Sequence, residues 1–260
     1  MADPEAQRSS PVPADSRRPA NRDSWHPLGA HTDARIALGR AGGSLRTESL
    51  LEFKVAHARA RDAVYQPFDG PSLASQLQSL GLGTEMLSTA AHDRASYLAR
   101  PDLGRRLAPE SAARLRELAS ILGPRDLALI VSDGLSAAAV VHAAPTLAGL
   151  TAILGGAGMT IHPVFIAPFA RVKLQDEVGG ILGARLSLIL LGERPGLSAH
   201  DSLGAYLTFA PGPGRSDADR NCVSNIRAGG LAPADAARKL ARILFESKRL
   251  GLSGTALRDA

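Results

Sequence analysis

Three short apolar runs separated by helical segments dominate the second half of this sequence and limit the folds open to it. The runs are LALIV at 127–131, MTIHPVFIAP at 159–168 and LSLILLG at 186–192. A helical segment from about Leu135 to Leu154 and the stretch LQDEVGGILGA lie between them. Short strands that alternate with helices at this spacing are typical of βαβ units, whose strands pair in parallel. We therefore predict an α/β fold for residues 123–260, a Rossmann-like parallel sheet flanked by helices.

The first half of the chain has a different pattern. The amphipathic stretches TESLLEFKVAHARARDAV, PSLASQLQSLGL and PESAARLRELASIL predict a small helical N-terminal domain over residues 31–122. Thr47 is the expected N-cap of the first of these helices. Residues 1–30 are rich in Pro, Ser, Arg and Asp, so they bury too little apolar surface to offset the entropy of ordering. We predict that residues 1–30 form a disordered tail.

Composition excludes several classes of protein. The formal net charge is +5, which often accompanies nucleic-acid binding, but the arginines are spread along the chain. Aromatic residues make up only 4%, so side chains that stack on bases are scarce. The single cysteine, Cys222, excludes an intramolecular disulfide and indicates a reducing, cytoplasmic setting. No uninterrupted apolar run approaches the length of a membrane span, and we expect no signal peptide.

Polar residues follow each predicted strand. Ser132–Gly134 follow the first strand, Arg171–Val172 lie just beyond the second, and Glu193–Arg194 follow the third. A parallel sheet places all three strand ends at one edge, where open α/β sheets bind ligands. The polar segment Asp217–Arg227 is expected opposite this edge. The alternative interpretations are structural, because Ser-Asp-Gly is also typical of a helix N-cap, and a Glu-Arg pair is also typical of a solvated turn.

No complete set of catalytic residues accompanies this predicted crevice. His142, His162 and His200 lie on different elements without metal-ligand spacing, and we predict no metal site. The chain lacks a nucleophile elbow, a GxxxxGK[ST] loop and a strand-linked GxGxxG. A crevice without chemical machinery points to a cofactor or a partner subunit. A scaffold that only docks a partner is the alternative, and a free-standing nucleotide binder is disfavoured by the missing phosphate loop.

Several segments resemble one known family. SDGLSAAAV, LLGERPGLSAHDSLGAYLTFAP and DADRNCVSNIRAGGL, in that order, closely resemble the small (light) subunit of ethanolamine ammonia-lyase. The resemblance extends from about residue 33 to the C-terminus. It implies a two-subunit, adenosylcobalamin-dependent lyase that converts ethanolamine to acetaldehyde and ammonia by a radical mechanism. It also implies that a large subunit holds the substrate, and that the small subunit closes over part of the cobalamin.

The same resemblance implies three cofactor-binding residues and no catalytic residue in this chain. Glu193 matches the acidic residue of the family's GERPG turn, and Cys222 matches the cysteine of its NC[IV]SNI block. Val172 matches the valine of a turn after the second strand, although this chain reads FARVKLQDEV there. Glu193 is expected to accept hydrogen bonds from the cofactor. Delivery to a bacterial microcompartment is left open beside the cytoplasmic location, because residues 1–24 show no helical apolar stripe.

Overall fold

A computed structural model describes residues 23–32 and 34–257 of the chain, so most of the predicted tail, residues 1–22, lies outside the described residues. The chain divides into two compact units, residues 1–56 and residues 57–260. In the first unit, His26–His31 form a 3-10 helix, and β1 (Arg40–Ala41) pairs antiparallel with β2 (Ser44–Leu45). Helix α1 (Thr47–Tyr65) starts in this unit, and Thr47, the predicted N-cap, is its first helical residue.

The second unit contains the remaining helices and strands. In chain order these are α2 (Gly70–Ser79), β3 (Thr84–Met86), α3 (Arg94–Ala99), α4 (Pro109–Leu122), β4 (Leu127–Ser132), α5 (Ala143–Gly156), β5 (Ile161–Ile166), α6 (Leu174–Ile181), β6 (Leu186–Gly192), β7 (Leu203–Phe209), β8 (Arg220–Ile226) and α7 (Pro233–Leu250). The three strands predicted from the apolar runs are β4, β5 and β6.

The strands of this unit form one six-stranded sheet in the order β3-β5-β4-β6-β7-β8. The first four are parallel to one another, and β7 is antiparallel to both β6 and β8. The predicted α/β fold is confirmed. Strand β3, which lies within the region predicted as helical, and the antiparallel extension β7–β8 were not predicted. The domain boundaries after residues 30 and 122 stay predictions.

Helices cover both faces of the sheet, which creates two apolar cores. Helices α2, α5 and α7 lie over one face, where Leu147 and Leu240 are buried. Helices α4 and α6 lie over the other face, where Leu115 and Val178 are buried. Every residue of β4 and β6 is buried, because a strand covered on both faces has no solvent-facing side.

One helical stretch in the described part of the chain, Ala137–Gly156, has the length and apolar composition of a membrane span. Half of this stretch is buried inside the protein. Leu147, Leu150 and Leu154 are fully buried, and α5 packs against α7. The sequence predicts a helix over most of this stretch, from about Leu135 to Leu154.

Candidate functional site

Strands β4, β5 and β6 end side by side at one edge of the sheet. Val131 of β4 is paired with Ile166 of β5, and Ser132 is paired with Leu191 of β6. The polar residues that follow these strands therefore share the carboxyl edge of the sheet, as the sequence predicts. These polar residues have different roles, however, because a side chain of the protein fills the crevice between the ends of β4 and β5.

The crevice between the ends of β4 and β5 contains Arg94. The chain leaves β4 toward α5 on one face and leaves β5 toward α6 on the other, and this change of direction marks the position where open α/β sheets bind ligands. Arg94 donates hydrogen bonds to Asp133 Oδ2 at 2.5 Å and to the Gly134 carbonyl at 2.7 Å. Its guanidinium carbon lies 5.3 Å from the ring centre of Tyr97 and 5.2 Å from that of Phe169. A side chain of the protein thus takes the usual ligand position.

The Asp133 carboxylate is held by groups of the chain. Its Oδ1 accepts hydrogen bonds from the Phe169 N–H at 2.8 Å and from the Ser132 hydroxyl at 3.2 Å. Burial raises the pKa of Asp133, and the Arg94 guanidinium and the Phe169 N–H oppose that rise. The Asp133 side chain is 0% exposed and that of Arg94 is 15% exposed. This buried ion pair favours the structural interpretation of the Ser-Asp-Gly segment over a binding role.

A cavity of about 570 Å³ lies on the α6 side of the sheet and is the candidate site. Val172, from the turn between β5 and α6, lines it together with Tyr206 of β7 and Cys222 of β8. Tyr206 and Cys222 are partners in the register of these two strands. The volume falls within the range of small-molecule sites, roughly 300–1,000 Å³. The fold therefore brings two of the three predicted cofactor-binding residues to one cavity.

The third predicted residue, Glu193, does not line this cavity, but it lies near Tyr206, which does. Its carboxylate accepts hydrogen bonds from the Ser202 hydroxyl and from the backbone N–H of Asn225, at 3.3 Å. The Tyr206 hydroxyl lies near both the Glu193 carboxylate and the Cys222 thiol, whose charges both raise its pKa. Gly204 makes room for the carboxylate, because a Cβ added there would lie 2.8 Å from Glu193 Oε1. The neighbouring polar side chains Glu193, Tyr206 and Cys222 are here called the Glu-Tyr-Cys relay.

The surroundings of Tyr206 and Cys222 raise the pKa of both side chains. Burial raises the pKa of Tyr206, and the charges of Cys222 and Glu193 raise it further. Desolvation likewise raises the pKa of the Cys222 thiol, although the residue as a whole is exposed to solvent. Both groups are therefore protonated at neutral pH.

A buried ion pair fixes the two sides of the cavity relative to each other. Arg220 of β8 donates to both carboxylate oxygens of Asp176 of α6, at 2.8 and 2.7 Å, and to the Thr208 hydroxyl at 2.9 Å. The side chains of Arg220 and Asp176 are each 3% exposed. Paired, two-point contacts of this kind are strong and directional. The pair connects the strand that carries Cys222 to the helix that follows Val172.

Comparison with known proteins identifies the family. The sequence model of the ethanolamine ammonia-lyase light chain matches residues 22–258. The ethanolamine ammonia-lyase small subunit of Azotobacter vinelandii is 52% identical over 245 residues, which cover 94% of this chain and 91% of that protein. The small subunit of Bradyrhizobium diazoefficiens is 50% identical over 234 residues, 89% of each chain. This chain belongs to the ethanolamine ammonia-lyase light chain family. The resemblance inferred from the sequence is confirmed, and the chain is a lyase subunit.

The structure gives each predicted residue of this light chain a place but does not test its role. Val172 and Cys222 line the cavity, whereas Glu193 does not line it but lies near Tyr206, which does. Cofactor binding by these three residues stays a prediction. Over residues 23–32 and 34–257, no group of three or more His, Cys, Asp or Glu side chains is placed to hold a metal ion.

Tyr206, Asp176 and Arg220 were not predicted from the sequence as site residues. Tyr206 lies in LGAYLTF, which a search for apolar strands could have identified next to the predicted strand β6. Arg220 starts a strand whose burial does not alternate regularly, so its segment looked irregular. Asp176 and Arg220 are 44 residues apart, and no local pattern relates them.

Proposed function

We propose that this chain completes the adenosylcobalamin site of an ethanolamine ammonia-lyase at the interface with a large subunit. The proposal rests on the convergence of Val172, Cys222 and, through Tyr206, Glu193 on one cavity. The complex would convert ethanolamine to acetaldehyde and ammonia. The large subunit would supply the groups that touch ethanolamine. We place the complex in the cytoplasm, where the Cys222 thiol would stay reduced.

The residues of the cavity fit a corrinoid. The rim of a corrin ring carries neutral amide side chains on an apolar macrocycle, so its binding site needs apolar contact together with donors and acceptors. Val172 supplies an apolar surface, and the Glu-Tyr-Cys relay supplies polar groups beside it. A cavity of about 570 Å³ is too small for a whole corrinoid. This chain therefore covers one part of the cofactor and leaves the rest to the large subunit.

The residues of this chain bind the cofactor, orient it and shield it from water. When bound, adenosylcobalamin supplies the homolysis of its cobalt–carbon bond, which starts the radical elimination of ammonia. Glu193 Oε2 accepts hydrogen bonds from Ser202 and Asn225, and a carboxylate has about four lone-pair sites, so Glu193 Oε1 can accept an amide N–H of the cofactor. Tyr206 keeps Glu193 oriented, and Val172 excludes water from the corrin edge.

Exposed apolar side chains near the same edge of the sheet support a large partner. Val141, in the segment after β4, is 67% exposed, and Leu197, in the loop after β6, is 39% exposed. These two segments are tied together, because the Ser136 hydroxyl donates to the His200 carbonyl at 2.7 Å. An ordered, partly apolar surface at this edge of the sheet is one that a large subunit would cover.

Coenzyme titration of the two-subunit complex tests the proposal. We would co-express a tagged form of this chain with the large subunit, purify the complex, and follow adenosylcobalamin binding by its visible spectrum. Acetaldehyde release from ethanolamine would be measured in parallel. We expect binding and turnover with both chains and turnover with neither chain alone. Loss of a hydrogen bond to a charged group is worth about 1.5–3 kcal/mol, so Glu193→Gln should raise the Kd roughly tenfold or more.

Matched variants separate a direct contact from a general loss of structure. Cys222→Ala removes one sulfur at the cavity wall, whereas Ser120→Ala removes one oxygen from the exposed surface of α4. We expect Cys222→Ala to weaken coenzyme binding and Ser120→Ala to leave it unchanged. An intact complex in which Glu193→Gln and Cys222→Ala both bind the coenzyme as tightly as the wild type would contradict the proposed site. An intact wild-type complex that binds no coenzyme would favour the scaffold alternative.

A further inference from the structure

One wall of the cavity carries cations that no carboxylate neutralises. Arg105, Arg171 and Lys173 line it, and within residues 23–32 and 34–257 none of the three forms an ion pair. By contrast, Arg215 is paired with Asp219 at 3.5 Å, and Arg220 is paired with Asp176. We call Arg105, Arg171 and Lys173 the basic wall.

Several N–H donors of the basic wall have no hydrogen-bond acceptor within the described part of the chain. Arg105 is exposed and has no hydrogen-bonding side-chain partner among the described residues. Lys173 Nζ donates only to the Arg215 carbonyl, at 3.3 Å. Arg171 Nη2 donates to the Tyr97 carbonyl at 3.1 Å, and its Nε is buried without a partner. Buried polar groups are almost always paired, so an unpaired one calls for an explanation.

The backbone holds these cations in one place. The Arg171 N–H donates to the Gly104 carbonyl at 2.7 Å, which sets the turn before Val172 against the residue before Arg105. Any larger residue at position 104 would disturb this contact, because a Cβ there would lie 2.6 Å from the Phe169 carbonyl oxygen. The Arg171 guanidinium also lies 4.1 Å from the ring centre of Tyr97. Arg171 is thereby fixed beside the segment that carries Arg105, and all three cations line the same cavity.

We propose that the basic wall binds a phosphate group, with Arg105 and Lys173 in contact with it and Arg171 as the fixed charge behind them. Guanidinium and ammonium groups are the preferred protein ligands of phosphate. This inference rests on the proposed function, and in that setting the phosphate is the phosphodiester that joins the nucleotide tail of cobalamin to the corrin ring. The arrangement would place the tail at the basic wall and the corrin edge at Val172, which lies between Arg171 and Lys173 in sequence.

Three corrinoids that differ in the tail test this assignment. Adenosylcobalamin carries the whole tail, adenosylcobinamide phosphate carries a phosphate without the nucleoside, and adenosylcobinamide carries neither. We would measure their equilibrium binding to the purified two-subunit complex by visible spectroscopy. Arg105→Gln and Lys173→Gln should each weaken adenosylcobalamin and adenosylcobinamide phosphate roughly three- to tenfold. Both variants should bind adenosylcobinamide as the wild type does.

Two controls sharpen the test. Arg116→Gln removes a charge from the exposed surface of α4, away from the cavity, and should change none of the three affinities. Inorganic phosphate should compete with adenosylcobalamin in the wild type and less in Arg105→Gln. Competition by phosphate without any difference between the three corrinoids would show a free-anion site and overturn the assignment to the tail.

Failure of this inference and failure of the proposed function give different results. If Arg105→Gln and Lys173→Gln weaken the binding of all three corrinoids equally, or of none, the basic wall does not bind the phosphate. The proposed cofactor site is not contradicted by that result. If the wild-type complex binds neither adenosylcobalamin nor adenosylcobinamide, the proposed function fails, and the assignment of the basic wall to the cofactor tail fails with it.

Discussion

Replacement of Arg94 by Met should destabilise this chain in a way that depends strongly on pH. Methionine keeps the length and apolar stem of the side chain but removes the charge that faces Asp133. The Asp133 side chain is 0% exposed, and without Arg94 its remaining partners are the Phe169 N–H and the Ser132 hydroxyl. The variant therefore leaves a buried carboxyl without a counter-charge, which commonly costs about 3–5 kcal/mol.

Protonation of Asp133 limits how much the free energy of unfolding can fall in this variant. A buried, unpaired carboxyl takes up a proton rather than stay charged. Keeping a carboxyl of ordinary pKa, about 3.9, protonated costs about 1.4 kcal/mol for each pH unit above that value. The destabilisation by Arg94→Met is therefore at most about 4 kcal/mol at pH 7 and about 1.5 kcal/mol at pH 5. Because the pKa of Asp133 in the folded variant is raised, stability is retained in acid and lost as the pH rises.

Urea unfolding of the purified chain, followed by far-UV circular dichroism at pH 5 and pH 7, measures this loss. The double variant Arg94→Met, Asp133→Asn is the control, because an amide cannot carry the buried charge. Its loss relative to the wild type should be smaller at pH 7 and nearly the same at both pH values. Equal losses for Arg94→Met at pH 5 and pH 7, or a loss below about 1 kcal/mol at pH 7, would refute the ion-pair argument.

Two further predictions concern stability. Burial and the nearby Arg125 guanidinium lower the pKa of His162 to about 4. Between pH 6.5 and pH 4 the unfolded chain therefore binds a proton that the folded chain does not, and the free energy of unfolding should fall by up to about 3 kcal/mol. In His162→Gln, urea unfolding across this range should lose that part of the pH dependence; an unchanged slope would show that His162 is not its source. Gly192→Ala places a Cβ 2.0 Å from the Ser136 carbonyl oxygen and should cost about 3 kcal/mol or more, whereas Gly155→Ala meets no atom within 4 Å and should not destabilise. Thermal unfolding compares these two variants, and similar melting temperatures would contradict the close contact at Gly192.

The part of the fold that sequence could predict is the part with both faces buried. LALIVS and LSLILLG are buried at every position, so their composition alone distinguishes them from surface segments. Their spacing, with helices between, then predicts the parallel pairing that the structure confirms. The common edge at the ends of β4, β5 and β6 followed from the same argument.

The parts that sequence could not predict are short or lie at the border of the sheet. Strand β3 has three residues, Thr84–Met86, which are too few to show a period. Strand β8, RNCVSNI, is a polar edge strand, and five of the six positions before its last residue are exposed or half-exposed, so its pattern resembles a loop. Arg94 and Asp133 are 39 residues apart, and only the folded chain relates them.

The position of the candidate site follows from these unpredicted elements. The rule for open α/β sheets indicates the edge of the sheet and, within it, the crevice between β4 and β5. Arg94 closes that crevice, so a ligand must bind farther along the sheet. The antiparallel extension β7–β8 provides the surface for it, because Tyr206 lies in the middle of β7 and is paired with Cys222 of β8. Among the predicted cofactor residues, only Glu193 follows a strand end directly, and Tyr206 connects it to the cavity. The Glu-Tyr-Cys relay is thus the link between the edge that sequence predicts and the cavity that the fold provides.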